Sequence, residues 1–192
     1  MRREKVRRYN GMRKLVPHLV AFVLGSCVLA CLVLSAGCAS PATSKAMTLT
    51  EFKPVKVHPF SVLVQVEGGN EADPGFNMPG ISSDAFREAL VATVEGSRIF
   101  AAVKQQPPAD YRLNVSIVQA KPKGALTART LMAARWKLTR LSDDKGVFDE
   151  FIESNGKGKA FTGVARLRKS LECAGRENIK LGLTSLSQLE LR

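Results

Sequence analysis

The side chain best placed for covalent chemistry is the thiol of Cys38. It follows Leu34-Ser35-Ala36-Gly37 and precedes the polar run Ala39-Ser40-Pro41-Ala42-Thr43-Ser44-Lys45. Upstream, Arg2, Arg3, Lys5, Arg7, Arg8, Arg13 and Lys14 come before an apolar run from Leu15 to Leu34. In that order a basic end stays at the inner face while an apolar core enters the translocon. Small side chains before a thiol suit a signal peptidase cut between Gly37 and Cys38. Sγ of Cys38 would then carry a diacylglyceryl group, and the freed amine a third chain. The chemistry this pattern predicts is acylation of the chain itself.

Leu34, Ala36, Gly37 and Cys38 resemble the bacterial lipobox, with Ser35 where a Leu is commonest. Cys27 and Cys31 also follow small residues, but a cut at either would leave an apolar new terminus, so both read as apolar filler. The run before Cys38 is long for a signal core of about 7–15 residues. An uncleaved inner-membrane anchor, which needs about 20 apolar residues, is therefore the alternative. A start at Met12 would give an ordinary short signal beginning Met12-Arg13-Lys14.

The partition expected is residues 1–37 as signal peptide, 38–50 as lipidated cysteine and flexible tether, and 51–192 as one domain. About 150 residues suffice for one compact core and are too few for two ordinary ones. Seven basic residues and one acidic residue lie in positions 1–37, so half of the formal charge of +12 belongs to the leader. The rest is a modest basic excess, compatible with anionic phospholipid or lipopolysaccharide nearby and weak as a nucleic-acid signal. Beyond Cys38 only Cys173 remains, which excludes an internal disulfide and reads as a small buried apolar residue.

A residue inventory weighs against catalysis. After Cys38 the sole histidine is His58, which excludes a His-rich zinc site and leaves one candidate base for a triad or an acyl transfer. Asp143, Asp144, Asp149 and Glu150 fall in turn and edge positions where solvated carboxylates are ordinary. No metal site and no cofactor is expected. Gly156-Lys157-Gly158-Lys159, within Asn155-Gly156-Lys157-Gly158-Lys159, is the one weak anion-binding candidate. Its amides and ammonium groups precede a helix expected near Thr162, with Arg166, Arg168 and Lys169 just beyond. It is not a Walker A loop, and a flexible basic turn is the plainer reading. Arg135, Lys137 and Arg140 offer a basic strip, of which Arg135 and Lys137 share a face.

The elements that must position these residues follow from periodicity. Val62, Val64 and Val66 alternate in a strand within Val55–Val66, and the Gly- and Pro-rich residues 67–80 form a loop. Ser82 or Ser83 caps a helix carrying Phe86, Ala89, Leu90 and Val94 up to Gly96. Ile99–Val103 is a short strand. Tyr111, Leu113, Val115 and Ile117 alternate in a clear strand, and the turn Lys121-Pro122-Lys123-Gly124 leads to a hairpin partner containing Ala134, Trp136 and Leu138. After a turn at 142–146, Val147–Ser154 supplies another antiparallel strand, and a period of 3.6 from Thr162 to about Leu189 closes the chain with an amphipathic helix. The fold expected is α+β: an antiparallel meander with two helices packed on one face, in the order β-α-β-β-β-β-α.

Thr48-Leu49-Thr50-Glu51-Phe52-Lys53-Pro54-Val55-Lys56-Val57-His58, Ser83-Asp84-Ala85-Phe86, Ala109-Asp110-Tyr111 and Glu172-Cys173-Ala174-Gly175-Arg176-Glu177-Asn178-Ile179, together with the Cys38 pattern, resemble a family of small, poorly characterised Gram-negative lipoproteins. The resemblance spans nearly the whole chain after Cys38. It implies a periplasmic location and a small α+β domain with no established reaction. Some similar proteins carry a UDP-N-acetylglucosamine acyltransferase label, which the inventory above does not support. Cys173 stands where the family's last helix would carry a small Ala.

The function expected is a lipid-anchored, non-enzymatic binding or accessory module of the cell envelope, with an envelope sugar or lipid enzyme as the alternative. Its partners would be the membrane, through the lipid, and other envelope proteins, with no nucleic acid. Ala39 stands where an Asp typically retains enteric lipoproteins in the inner membrane, so the periplasmic face of the outer membrane is the expected location.

Overall fold

A computed structural model describes residues 40–70, 72–73, 78–124 and 127–192. Gly37, Cys38 and the leader lie outside the described residues. The elements are α1 (Ser44–Met47), β1 (His58–Glu67), β2 (Ala72–Asp73), β3 (Met78–Pro79), α2 (Ser83–Ser97), β4 (Phe100–Lys104), β5 (Tyr111–Lys123), β6 (Arg129–Arg140), β7 (Lys145–Lys157) and α3 (Gly163–Leu186). Apart from the single turn α1 and the two-residue ribbon β2–β3, this is the α+β order that the periodicity predicts.

The main sheet has five strands in the order β4-β1-β5-β6-β7. The antiparallel meander is β5-β6-β7, whereas β1 is inserted between β4 and β5 and runs parallel to both. The reason is connectivity. Helix α2 returns the chain from the end of β1 to its start, so β4 must run the same way as β1. Only the tight β5–β6 and β6–β7 connections reverse direction.

Both long helices begin on side-chain caps. Ser82 accepts from the amide of Ala85 and Thr162 from that of Ala165. Helix α2 ends on Arg98 in the left-handed region at φ 56°. One face of the sheet supplies Val62, Val64, Tyr111, Leu113, Val115, Met132, Trp136 and Leu138 to a single core, closed by Phe86 and Leu90 of α2 and by Leu171, Ile179 and Leu183 of α3. The opposite face, with Gln65, Arg135, Lys137, Asp149 and Phe151, is exposed.

Two boundaries differ from the sequence reading. Residues 42–50, expected as part of a flexible tether, sit on the body: Ala42 and Met47 are buried, Ala42 N donates to Gly80 O (3.0 Å), and the Thr43 hydroxyl donates to Glu172 Oε1 (3.0 Å). Two apolar side chains decide this, since Met47 fills the space left by the missing side chain of Gly175. The β5–β6–β7 arm is also longer than the alternation suggests, running to Lys123, Arg129 and Lys157. A bulge between Ile117 and Gln119 breaks the period of two that marks the strand.

Candidate functional site

Gly156 and Lys157 are the last residues of β7, and Gly158 and Lys159 follow it directly. Gly156 is buried, and a Cβ there would fall on the Ser170 carbonyl oxygen; at Gly158 it would fall on the Arg166 carbonyl oxygen. Both glycines therefore let the first turns of α3 press against the strand backbone. Thr130 and Ser170 hydroxyls meet at 2.7 Å beneath this contact, and Ser154 Oγ donates to Ala174 O at 2.9 Å. The Gly158 amide is committed to Ala128 O at 3.0 Å, so the backbone offers less to an anion than the sequence suggests.

The side chains offer more. Close packing brings Arg166 of α3 beside Lys157 and Lys159, and the β6 pairing brings Arg129. Together with residues 127–128 they line an open groove of about 370 Å³. Register extends the charge. Lys123 pairs with Arg129, and Arg129 with Lys157, so three cations lie directly abreast on the uncovered face of adjacent strands. Phe161, in the connection to α3, is 99% exposed, and Val164 in the first turn is 44% exposed. The residues lining the groove include no His, Cys, Asp or Glu. The clustered lysine and arginine side chains suit an anionic group.

Lys157, Lys159 and Arg166 are legible as neighbours in the sequence. Lys123 and Arg129 are not, because their placement depends on the β5–β6–β7 register.

The other candidates are dispersed. His58 is buried, its Nε2 donates to Leu186 O at 3.0 Å, and its ring lies 5.3 Å from that of Phe100. It is a packed residue whose N–H is taken by a helix end. The three aspartates of the acidic group separate into ion pairs. Asp149 takes a two-pronged contact from Arg135 (2.7 and 2.8 Å), Asp143 takes one from Arg140 (2.9 and 2.7 Å), and Asp144 faces Arg112 at 3.5 Å. The guanidinium hydrogen bonds hold the Asp149 and Asp143 carboxyls below the usual range. Two of the three cations of the basic strip are thereby paired, Arg135 with Asp149 and Arg140 with Asp143, and Lys137 shares the outer face with Arg135 and lies opposite Asp149. Cys173 is a half-buried free thiol in α3. Among the described residues no group of three or more potential metal ligands occurs, and no helix is long and apolar enough to cross a membrane.

A larger hollow of about 540 Å³ lies at the opposite end, against Phe60, Pro107, Pro108, Asp110, Arg140 and Arg192. Asp110 there is engaged by Ser61, and Arg140 by Asp143 and the Arg192 carbonyl.

No family description matches this sequence, and no curated protein is detectably similar to it. Solved structures are. A hypothetical protein of Chlamydia trachomatis is 9% identical, with 67% of this chain and 96% of that chain covered and a TM-score of 0.52. A Xanthomonas campestris protein of the family DUF330 is 16% identical, with 70% and 91% covered and a TM-score of 0.47. A lipoprotein of Neisseria meningitidis is 14% identical, with 56% and 90% covered and a TM-score of 0.39. What the chlamydial protein shares with this chain is the fold. None of the three is named for an acyltransferase activity.

Proposed function

We propose that this chain is an envelope lipoprotein, acylated on Cys38 after cleavage behind Gly37, whose domain is a non-enzymatic binding or accessory module. The observation that carries the reading is the basic and apolar leader ending in Leu34-Ser35-Ala36-Gly37-Cys38. The domain takes hold of the chain at Ala42, four residues after Cys38. A product beginning at Cys38 keeps Ala42 and its contacts with the body. Two or three acyl chains at about 0.8 kcal/mol per buried CH₂ make a lasting anchor, where one chain gives marginal binding.

Acyl transfer would require a base in reach of a substrate hydroxyl. His58, buried against Phe100 and bonded to the Leu186 carbonyl, does not favour that alternative. The exposed cations at the end of β7 favour recognition of an anionic group instead. Ala39 supports the periplasmic face of the outer membrane as the location.

The test is the intact mass of the membrane-extracted protein, with and without an inhibitor of lipoprotein signal peptidase. A product beginning at Cys38 with added acyl mass, replaced by precursor under the inhibitor, is the expected result. A full-length unmodified mass overturns the reading and leaves residues 15–34 as an uncleaved inner-membrane anchor.

A further inference from the structure

The row Lys123, Arg129, Lys157 sets a problem in electrostatics. Like charges placed directly opposite one another on adjacent strands repel, and this fold places three abreast, with Lys159 next to them. On the same sheet face Arg135 is matched internally by Asp149. An arrangement of this kind is relieved by a polyanionic surface outside the chain.

The position of the row says which surface. At one end of the sheet lie the β6–β7 turn, the start of β5 and the end of α3. At the other, β1 stops at Glu67 opposite Ser116, while β5 continues to Lys123 paired with β6. This second end carries the cation row and the first turns of α3. It also receives the incoming chain, through Ala42 at Gly80 and Thr43 at Glu172. Four residues reach at most about 14 Å, so an acyl chain on Cys38 holds this end close to the bilayer. Nine residues of α3 separate Gly163 from Glu172, a rise of about 14 Å, which is the same reach. Phe161, 99% exposed and two residues from Lys159, lies just beyond Gly163. An aromatic ring beside cations is the composition of a membrane–water interface.

We infer that this end of the domain is a second membrane contact. Lys123, Arg129, Lys157 and Lys159 engage the headgroup phosphates of an anionic bilayer, and Phe161 enters the interface beside them. The contact rests on the Cys38 anchor proposed above. It fixes which way the domain faces, leaving the 540 Å³ hollow and the β6–β7 turn pointing into the periplasm.

The test uses the mature acylated protein in vesicles containing brominated acyl chains. Trp136 is fully buried and serves as the internal reference, so the wild type is expected to show little quenching. The Phe161→Trp variant is expected to lose at least half of its added emission in phosphatidylglycerol/phosphatidylethanolamine vesicles, and several-fold less in pure phosphatidylcholine or in high salt. Adding Lys123→Gln, Arg129→Gln, Lys157→Gln and Lys159→Gln should abolish the lipid dependence without lowering the melting temperature. Acylated protein whose Phe161→Trp emission is quenched no more than that of Trp136, or equally in both lipid compositions, overturns the contact and leaves the anchor standing. A preparation without acyl mass overturns the anchor, and the contact with it.

Discussion

Asn178 and Trp136 form the polar joint between the last helix and the sheet. The indole Nε1–H donates to Asn178 Oδ1 at 3.0 Å, and Asn178 Nδ2 donates to the Ile152 carbonyl at 2.9 Å. Both residues are fully buried, so a single amide satisfies groups from β6 and β7 at once. Gly182, one turn on, presses its Cα against the indole face, where a Cβ would come within 2.6 Å of the ring. Helix α3 is thus held at a fixed height over the sheet.

Replacing Asn178 by Leu keeps the volume but strands an indole N–H and a strand carbonyl away from water. The expected cost is about 3 kcal/mol, from two buried groups left unsatisfied. Chemical denaturation of wild type and Asn178→Leu measures it. A loss below about 0.5 kcal/mol would mean that the joint is not made.

The glycines at the end of β7 give a prediction of the opposite kind from that of a phosphate loop. In Gly158→Ala the new methyl collides with backbone, the Arg166 carbonyl, which has no rotamer by which to give way. A destabilisation of about 3 kcal/mol is expected from such overpacking. Lys159→Ala beside it should leave the melting temperature nearly unchanged. If instead Gly158→Ala melts like the wild type, α3 does not lie against the strand here.

Asp110 completes the ladder of β1 where strand pairing stops. Pairing of β1 with β5 begins at Val62 and Tyr111, and one residue earlier the Asp110 carboxylate accepts from both Ser61 N and Ser61 Oγ at 2.7 Å. The Ser61 hydroxyl bond first, and then the Ser61 amide bond, hold this carboxyl below its ordinary value. Because the folded value is the lower one, the stabilisation is complete above the ordinary carboxyl range and is lost as pH falls through the folded value. Wild type should therefore melt higher than Asp110→Asn at pH 6. The gap should close as the pH is taken below about 4. A gap that persists to pH 2 would rule out ionisation as its source.

Arg98 ends α2 with φ at 56°, a region that costs a side-chain-bearing residue about 1 kcal/mol. Glycine is at home there, and Arg98 is exposed. Arg98→Gly should raise stability by several tenths of a kcal/mol or more. A lower melting temperature would show that the Arg98 side chain contributes more than the backbone strain costs.

Local patterns in the residues were enough to predict the element order. Alternation at Tyr111–Ile117, the Ser82 cap, and the 3.6 period after Thr162 are short-range signals that report local backbone preference and burial. The lipoprotein reading of Cys38 rests likewise on a local string of residues, and it lies outside the described fold. What the local pattern did not contain was pairing. That β1 lies between β4 and β5, that Ala42 and Met47 belong to the core, and that Asp143, Asp144 and Asp149 are each neutralised by a different arginine depend on contacts between residues tens of positions apart. The candidate site shows the division plainly. Lys157 and Lys159 announced a basic turn, but Lys123 and Arg129 joined them only through strand register, because a bulge after Ile117 resets which side chains face out. Composition and periodicity determined what each segment would become; the tertiary structure decided which charges meet, since long-range pairing is set by packing of the whole core.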